Sequence, residues 1–188
     1  MTVTTYSPAQ KSLHWLIALL IVGLYLLTFG EEFYERGHPM RATIWWLHIS
    51  FGLLLLGLVL ARLGLRLTRG IPALPPTMTP AERGASHLVH LGLYALMLAV
   101  PLVGVVLTWL RGDALTFFDL FTIPSPVAAD RNLGRSVKEI HELAANLILA
   151  LAALHMAAAL WHHLVRRDGV LGRMLPGRQA DRETGLAD

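Results

Sequence analysis

The chain has 188 residues, of which 54% are hydrophobic and only 15% charged. Soluble domains carry about 25% charged residues, so this composition excludes an ordinary water-soluble globule. No cysteine is present, which excludes disulfides, thiolate-held zinc, iron–sulfur clusters and thioether-linked cofactors. Nine histidines stand out in a chain otherwise poor in titratable groups.

Four apolar segments, 13–29, 44–65, 87–110 and 140–165, are long enough to cross a bilayer, which takes ~20 helical residues. With their start signals they predict helices over about 7–30, 41–66, 80–110 and 136–167. Ser7-Pro8 reads as an N-cap with proline at the first helical position. After the first span, Glu31, Glu32 and Glu35 face only Arg36 and Arg41. The second span ends in Arg62, Arg66 and Arg69, with Arg83 beyond and Glu82 the one acid. Thr79-Pro80-Ala81-Glu82 opens the third helix as a capping box, and Ser136-Val137-Lys138-Glu139 matches the same pattern for the fourth. Arg166, Arg167, Arg173 and Arg178 follow the last span. Arginine therefore collects on the side of the two termini, which predicts both termini in the cytoplasm. Topology thus explains the isoelectric point of 9.7, and no nucleic-acid partner is needed. The expected fold is an all-α membrane protein, a four-transmembrane-helix bundle over residues 1–178, with 179–188 a disordered cytoplasmic tail.

Ionisable groups inside a span are expensive and read as functional by default. His141 and His155 lie 14 residues apart on the fourth span. At about 100° and 1.5 Å per residue they share a face and are separated by about 21 Å. Two cofactors stacked across the membrane fit that spacing. His48, about two turns into the second helix, matches the depth of His141, and His14 in the first matches His155. Two imidazoles on facing helices can clamp an iron porphyrin. Gly52 beside His48, and Ala152, Ala158 and Ala159 beside His155, leave room for a flat ring. Arg62, 14 residues after His48, is placed to pair with a haem propionate or simply to mark the cytoplasmic side. Zinc fits poorly, because no three ligands with nearby acids share one depth. His90 is the rival to His14 as a ligand, and His38 and His163 read as ordinary loop and interfacial residues.

Ser-Leu-His14-Trp, His48, Ser86-His87-Leu-Val-His90, Lys138-Glu-Ile-His141-Glu, Leu154-His155 and His162-His163 together resemble bacterial cytochrome b561 over residues 6–176. Within that family they resemble most the four-helix, superoxide-oxidising and ubiquinone-reducing (superoxide oxidase) branch. The resemblance implies two non-covalent b haems, with iron held by His48 and His141 near the outer face and by His14 and His155 near the inner one. It implies a bacterial inner-membrane oxidoreductase needing no protein partner. The other reading is a cytochrome b electron-transfer subunit of a dehydrogenase or hydrogenase complex.

Two histidines per iron leave no open position, so outer-sphere electron transfer is the expected chemistry. Superoxide is anionic, and a cationic funnel would steer it. Lys138 and Arg135 lie one and two turns outward of His141, and Arg41 lies outward of His48, with Arg111 and Arg131 as weaker members. For ubiquinone, the expected hydrogen-bonding and proton-relaying groups are His162 first, then His87 and His90, with Ser12 nearby. The tryptophans near the span ends read as an interfacial belt.

Overall fold

The computed structural model describes residues 5–175, so the expected tail at 179–188 lies outside the described residues. Four long helices dominate: α1 (Pro8–Gly30), α2 (Pro39–Arg69), α3 (Pro80–Arg111) and α4 (Arg131–Trp161). All four are long and apolar enough to cross a membrane. Their outward faces are apolar: Leu19, Leu88 and Leu91 are 68–71% exposed. Side chains of this kind find their solvent in hydrocarbon, and the bundle is a membrane protein.

The helices begin where their capping chemistry allows. Ser7 and Gln10 form a reciprocal capping box at α1, and Thr79 and Glu82 do the same at α3, in each case with proline in the first turn. α2 is capped by His38, whose Nδ1 accepts from Met40 N at 3.1 Å while its ring stacks on Tyr34. α4 starts five residues earlier than its sequence pattern predicts. Asp130, not Ser136, is the cap, its Oδ1 accepting from the amides of Asn132 and Leu133, both at 3.0 Å. Two free amides satisfied by one carboxylate outweigh a single hydroxyl cap, and the Ser136 pattern falls inside the helix. α4 ends in a π-helical turn (His162–Arg166), followed by a short 3-10 turn (Leu171–Arg173).

Consecutive helices pack side by side, and α3 and α4 approach closely. The close approach needs glycine: a Cβ on Gly92 would meet Leu151 at 3.1 Å, and one on Gly104 would meet the His141 ring at 3.1 Å. The buried core, Ile17, Leu55, Val59, Met97 and Ile148, draws on all four helices. Ile148 lies seven residues from both His141 and His155, so this core fills the middle of the bundle between two histidine levels. α1 meets α4 through a hydrogen bond from Tyr25 Oη to Asn146 Oδ1, 2.9 Å long.

The segment between α3 and α4 contains an antiparallel hairpin, β1 (Leu115–Phe117) and β2 (Phe121–Ile123). The sequence pattern shows only a neutral loop there. Its turn holds Phe118 and Asp119 at φ of 46° and 56°, the left-handed region that costs a non-glycine residue energy. Ser50, fully buried in α2, fixes that turn. Its hydroxyl accepts from Phe118 N at 3.0 Å and donates to Thr116 O at 3.4 Å. Trp46 Nε1 adds a bond to Asp119 Oδ1 at 2.9 Å. Ser50→Ala leaves the Phe118 amide buried without its partner, at an expected cost of about 1–3 kcal/mol. The expected result is loss of hydrogen-exchange protection at Phe118, with the helical amides unaffected.

At the opposite end the termini are tied together. Lys11 Nζ donates to Leu175 O and Trp15 Nε1 to Met174 O, both at 3.0 Å. Gln10 Nε2 donates to Gly70 O at 3.0 Å and Arg173 to Ala73 O at 2.6 Å. The bundle therefore has a hairpin end and a termini end.

Candidate functional site: two histidine levels and a cationic cleft

The four helices bring five histidines into the bundle at two levels, with His162 beyond the second. Toward the hairpin end, the rings of His48 on α2 and His141 on α4 have centroids 6.3 Å apart. Toward the termini end, His14 on α1 and His155 on α4 are also 6.3 Å apart. His90 on α3 lies on the other side of His155, with centroids 5.0 Å apart. His162 lies further toward the termini end and contacts neither pair's partner rings among the described aromatic pairs.

These separations test whether a metal group fits. Imidazole–metal bonds are about 2 Å, so a metal held in line between two imidazoles sets their centroids roughly 6 Å apart. Both 6.3 Å pairs meet that requirement, and the 5.0 Å pair is too close. His90 Nδ1 lies 2.6 Å from Ser86 O, a bond that leaves its Nε2 free, so it is the ring separation that sets His90 apart from His14. At the hairpin level both Nδ1 atoms are buried, with the His48 ring beside the Leu24 backbone and the His141 ring beside the Val100 backbone, the kind of neighbour that orients a ligating imidazole. Gly52, one turn from His48, would meet nothing within 4 Å if given a Cβ, which leaves space beside that ring. The residues fit an iron porphyrin clamped by paired imidazoles. No cluster of three His, Asp or Glu suited to a bare metal ion occurs among the described residues.

The match to the family model described as prokaryotic cytochrome b561 covers residues 5–177. The chain belongs to the prokaryotic cytochrome b561 family. It is 31% identical over 178 residues to a protein of Yersinia pestis named probable superoxide oxidase CybB, covering 93% of this chain and 97% of that one. It is 29% identical to cytochrome b561 homolog 1 of Escherichia coli K12, covering 93% and 98%. It is 33% identical to cytochrome b562 of Cereibacter sphaeroides, covering 92% and 96%. As a member of the cytochrome b561 family, the chain is a bacterial membrane electron-transfer protein of the oxidoreductase type, and the family implies b-type haem.

Outward of the hairpin-level pair, the cytochrome carries a cleft of about 580 Å³ lined by Leu107, Arg111, Asp113, Arg131, Gly134, Arg135 and Lys138. Four of those seven residues are cations and one is an acid. Arg111 pairs with Asp113 at 3.0 Å, and Lys138 pairs with Glu142 at 2.5 Å. Arg135 donates to Asn132 Oδ1 at 2.5 Å and has no carboxylate partner among the described residues. The Arg111 guanidinium lies 5.9 Å from the Trp45 ring centre, and Trp45 meets the His48 ring edge at 5.5 Å. The cleft is thus connected to the His48–His141 pair through Trp45, which its belt-like position in the sequence did not single out.

Arg41 is not in this cleft. It is ion-paired with Glu31 and donates to the carbonyls of Glu31 and Tyr34, each at 3.0 Å. The acids of the α1–α2 connection capture it, so it braces that loop rather than facing the cleft. At the termini end, His87 and Ser12 are exposed on their helices, while His90 turns inward toward His155. His163 is exposed and His162 buried.

Arg62 lies one level outward of His14. Its Nε donates to Tyr94 Oη at 3.2 Å and its Nη1 to Gln10 O at 3.1 Å. With Arg66, whose guanidinium is 5.4 Å from the Tyr94 ring centre, and Tyr6 it lines a small pocket that holds no carboxylate. Burial pushes the Tyr6 phenol up from its ordinary range despite the two arginines, so it stays a neutral hydrogen-bond donor.

Proposed function

We propose that this cytochrome oxidises superoxide to dioxygen at the hairpin end and uses the electrons to reduce ubiquinone at the termini end. The observation that supports this most is the cationic cleft opening directly outward of the His48–His141 pair. In this reading His48 with His141, and His14 with His155, each hold one haem b, and bound haem supplies one-electron transfer without an open iron position. Arg62, which donates to Tyr94 Oη and Gln10 O, would be the cation available to a propionate of a group held there. Arg135, Arg131 and Lys138 attract the anion and position it against the protein surface, while Asp113 and Glu142 keep the cleft from binding it permanently. Two superoxide ions give two electrons, and one ubiquinone takes those two electrons with two protons to become ubiquinol.

The arginines that follow α2 and α4 support a reading in which the termini end is cytoplasmic and the cleft faces the periplasm of a bacterial inner membrane. Superoxide cannot readily cross hydrocarbon as an anion, so a periplasmic cleft meets what is produced on that side.

The test uses the purified protein alone in detergent or liposomes. A superoxide source is expected to reduce its haem spectrum and, with added ubiquinone, to form ubiquinol. Haem reduction that occurs only with a dehydrogenase or hydrogenase partner present would replace this reading by that of an electron-transfer subunit.

A further inference from the structure

His162 and Asp168 form a pair that neither haem nor the cleft explains. His162 Nδ1 and Asp168 Oδ2 are 2.5 Å apart, and the two side chains are only 11% and 7% exposed. The backbone goes out of its way to make this contact. α4 widens into a π-helical turn at His162–Arg166, a form that is rare and concentrated at functional sites. Arg167 then takes φ of 51°, in the left-handed region, which turns the chain back so that Asp168 returns to His162. Asp168 Oδ1 accepts from Val170 N at 3.3 Å, which orients the carboxylate.

A carboxylate on Nδ1–H fixes the imidazole tautomer and leaves Nε2 as the working nitrogen. Among the described residues nothing hydrogen-bonds His162 Nε2. The position follows His155 by seven residues, so the ring lies about 10 Å nearer the termini end on a similar face. Electrons and protons meet at such a place when a quinone is reduced.

We propose that His162 and Asp168 are the proton-transfer dyad of the quinone-reducing end. His162 is the catalytic acid and Asp168 its positioning residue. The inference rests on the ubiquinone reading above. At one quinone oxygen the His162 Nε2–H bond breaks and an O–H bond forms as the electrons delivered from superoxide arrive. The imidazole is then reprotonated from water at the termini end. The opposite oxygen takes its proton from water, so that two protons balance the two electrons that make a quinol. Asp168 holds and orients the imidazole through its bond to Nδ1.

The charged groups on the packed neighbours are accounted for. On α3, Glu82 is near enough to interact with His162 and is itself paired with Arg166 at 3.2 Å. Arg173 is turned to Ala73 O and Lys11 to Leu175 O. Arg167 donates to Leu164 O, and His163 is exposed on the outer face.

The experiment compares Asp168→Asn and His162→Gln with the unmodified protein, following haem reduction by superoxide and ubiquinol formation across pH. Asparagine can still accept from Nδ1–H, so the strap across the end of α4 is kept and only the charge is lost. Both variants are expected to retain haem content and haem reduction at the hairpin end. Ubiquinol formation is expected to fall about tenfold in Asp168→Asn and about a hundredfold in His162→Gln. In Asp168→Asn the loss is expected to fall on ubiquinol formation alone, with the rate of haem reduction by superoxide unchanged. Ubiquinol formation within twofold of the unmodified protein at every pH would overturn the dyad. Parallel loss of haem and of both reactions would overturn it too, in favour of a purely structural strap. If the unmodified protein is reduced by superoxide but forms no ubiquinol, the quinone reading fails and the dyad with it.

Discussion

His141→Ala is expected to remove one haem and spare the other, lowering the haem-to-protein ratio by about half. The physical basis is the two-level arrangement. His141 has His48 as its only imidazole partner among the described aromatic pairs, and the apolar core around Ile148 separates this level from His155. A haem held at this level would be left with one imidazole, whereas one held by His14 and His155 would keep both. The same reasoning assigns the lower level. His14→Ala should lose the termini-side haem, whereas His90→Ala should keep both, because the His90 ring is only 5.0 Å from His155 while that of His14 is 6.3 Å away. Pyridine haemochrome quantitation with redox titration of each variant reads the result directly. Retention of both haems in His14→Ala together with loss of one in His90→Ala would reassign the lower ligand.

Reversing charge in the cleft, Arg135→Glu with Lys138→Glu, is expected to slow haem reduction by superoxide about tenfold at low ionic strength. Lys138 alone should matter less, since Glu142 already pairs with it at 2.5 Å, and the pair is about half exposed and well screened. Among the described residues neither Arg135 nor Arg131 forms an ion pair, so these two carry the uncompensated charge of the cleft. The rate of the unmodified protein should fall as salt is added, because a positive cleft is being screened, and the double variant should lose that dependence. Stopped-flow reduction at several salt concentrations measures both effects. A double variant as fast as the unmodified protein at low salt would remove the steering role. Haem content should be unchanged, as both side chains lie on the exposed face of α4.

Much of this was readable in one dimension. The spans follow from runs of apolar residues matched to the thickness of hydrocarbon, and the helix periodicity puts His141 and His155 on one face at two depths. The caps at Ser7 and Thr79 are local chemistry, with acceptor and donor three residues apart. Such features depend on neighbours along the chain, so the sequence carries them openly.

Local patterns misled where a stronger partner lay just outside the window. Ser136 has the letters of a cap, but Asp130 offers a charged acceptor to two amides and starts α4 earlier. Arg41 shares the outward direction of His48, but three nearby acids compete for it and Glu31 holds it.

The sequence by itself determined a four-span membrane bundle, the two depths of its histidines and the end on which arginine gathers. Tertiary structure alone decided which imidazoles face each other at 6.3 Å, that Trp45 links the cleft to His48, that Ser50 anchors a hairpin 66 to 68 residues away, and that Asp168 returns to His162. The division has one cause. Periodicity and transfer free energy act along the chain, whereas these contacts depend on how four helices rotate and close on one another, which no local pattern encodes.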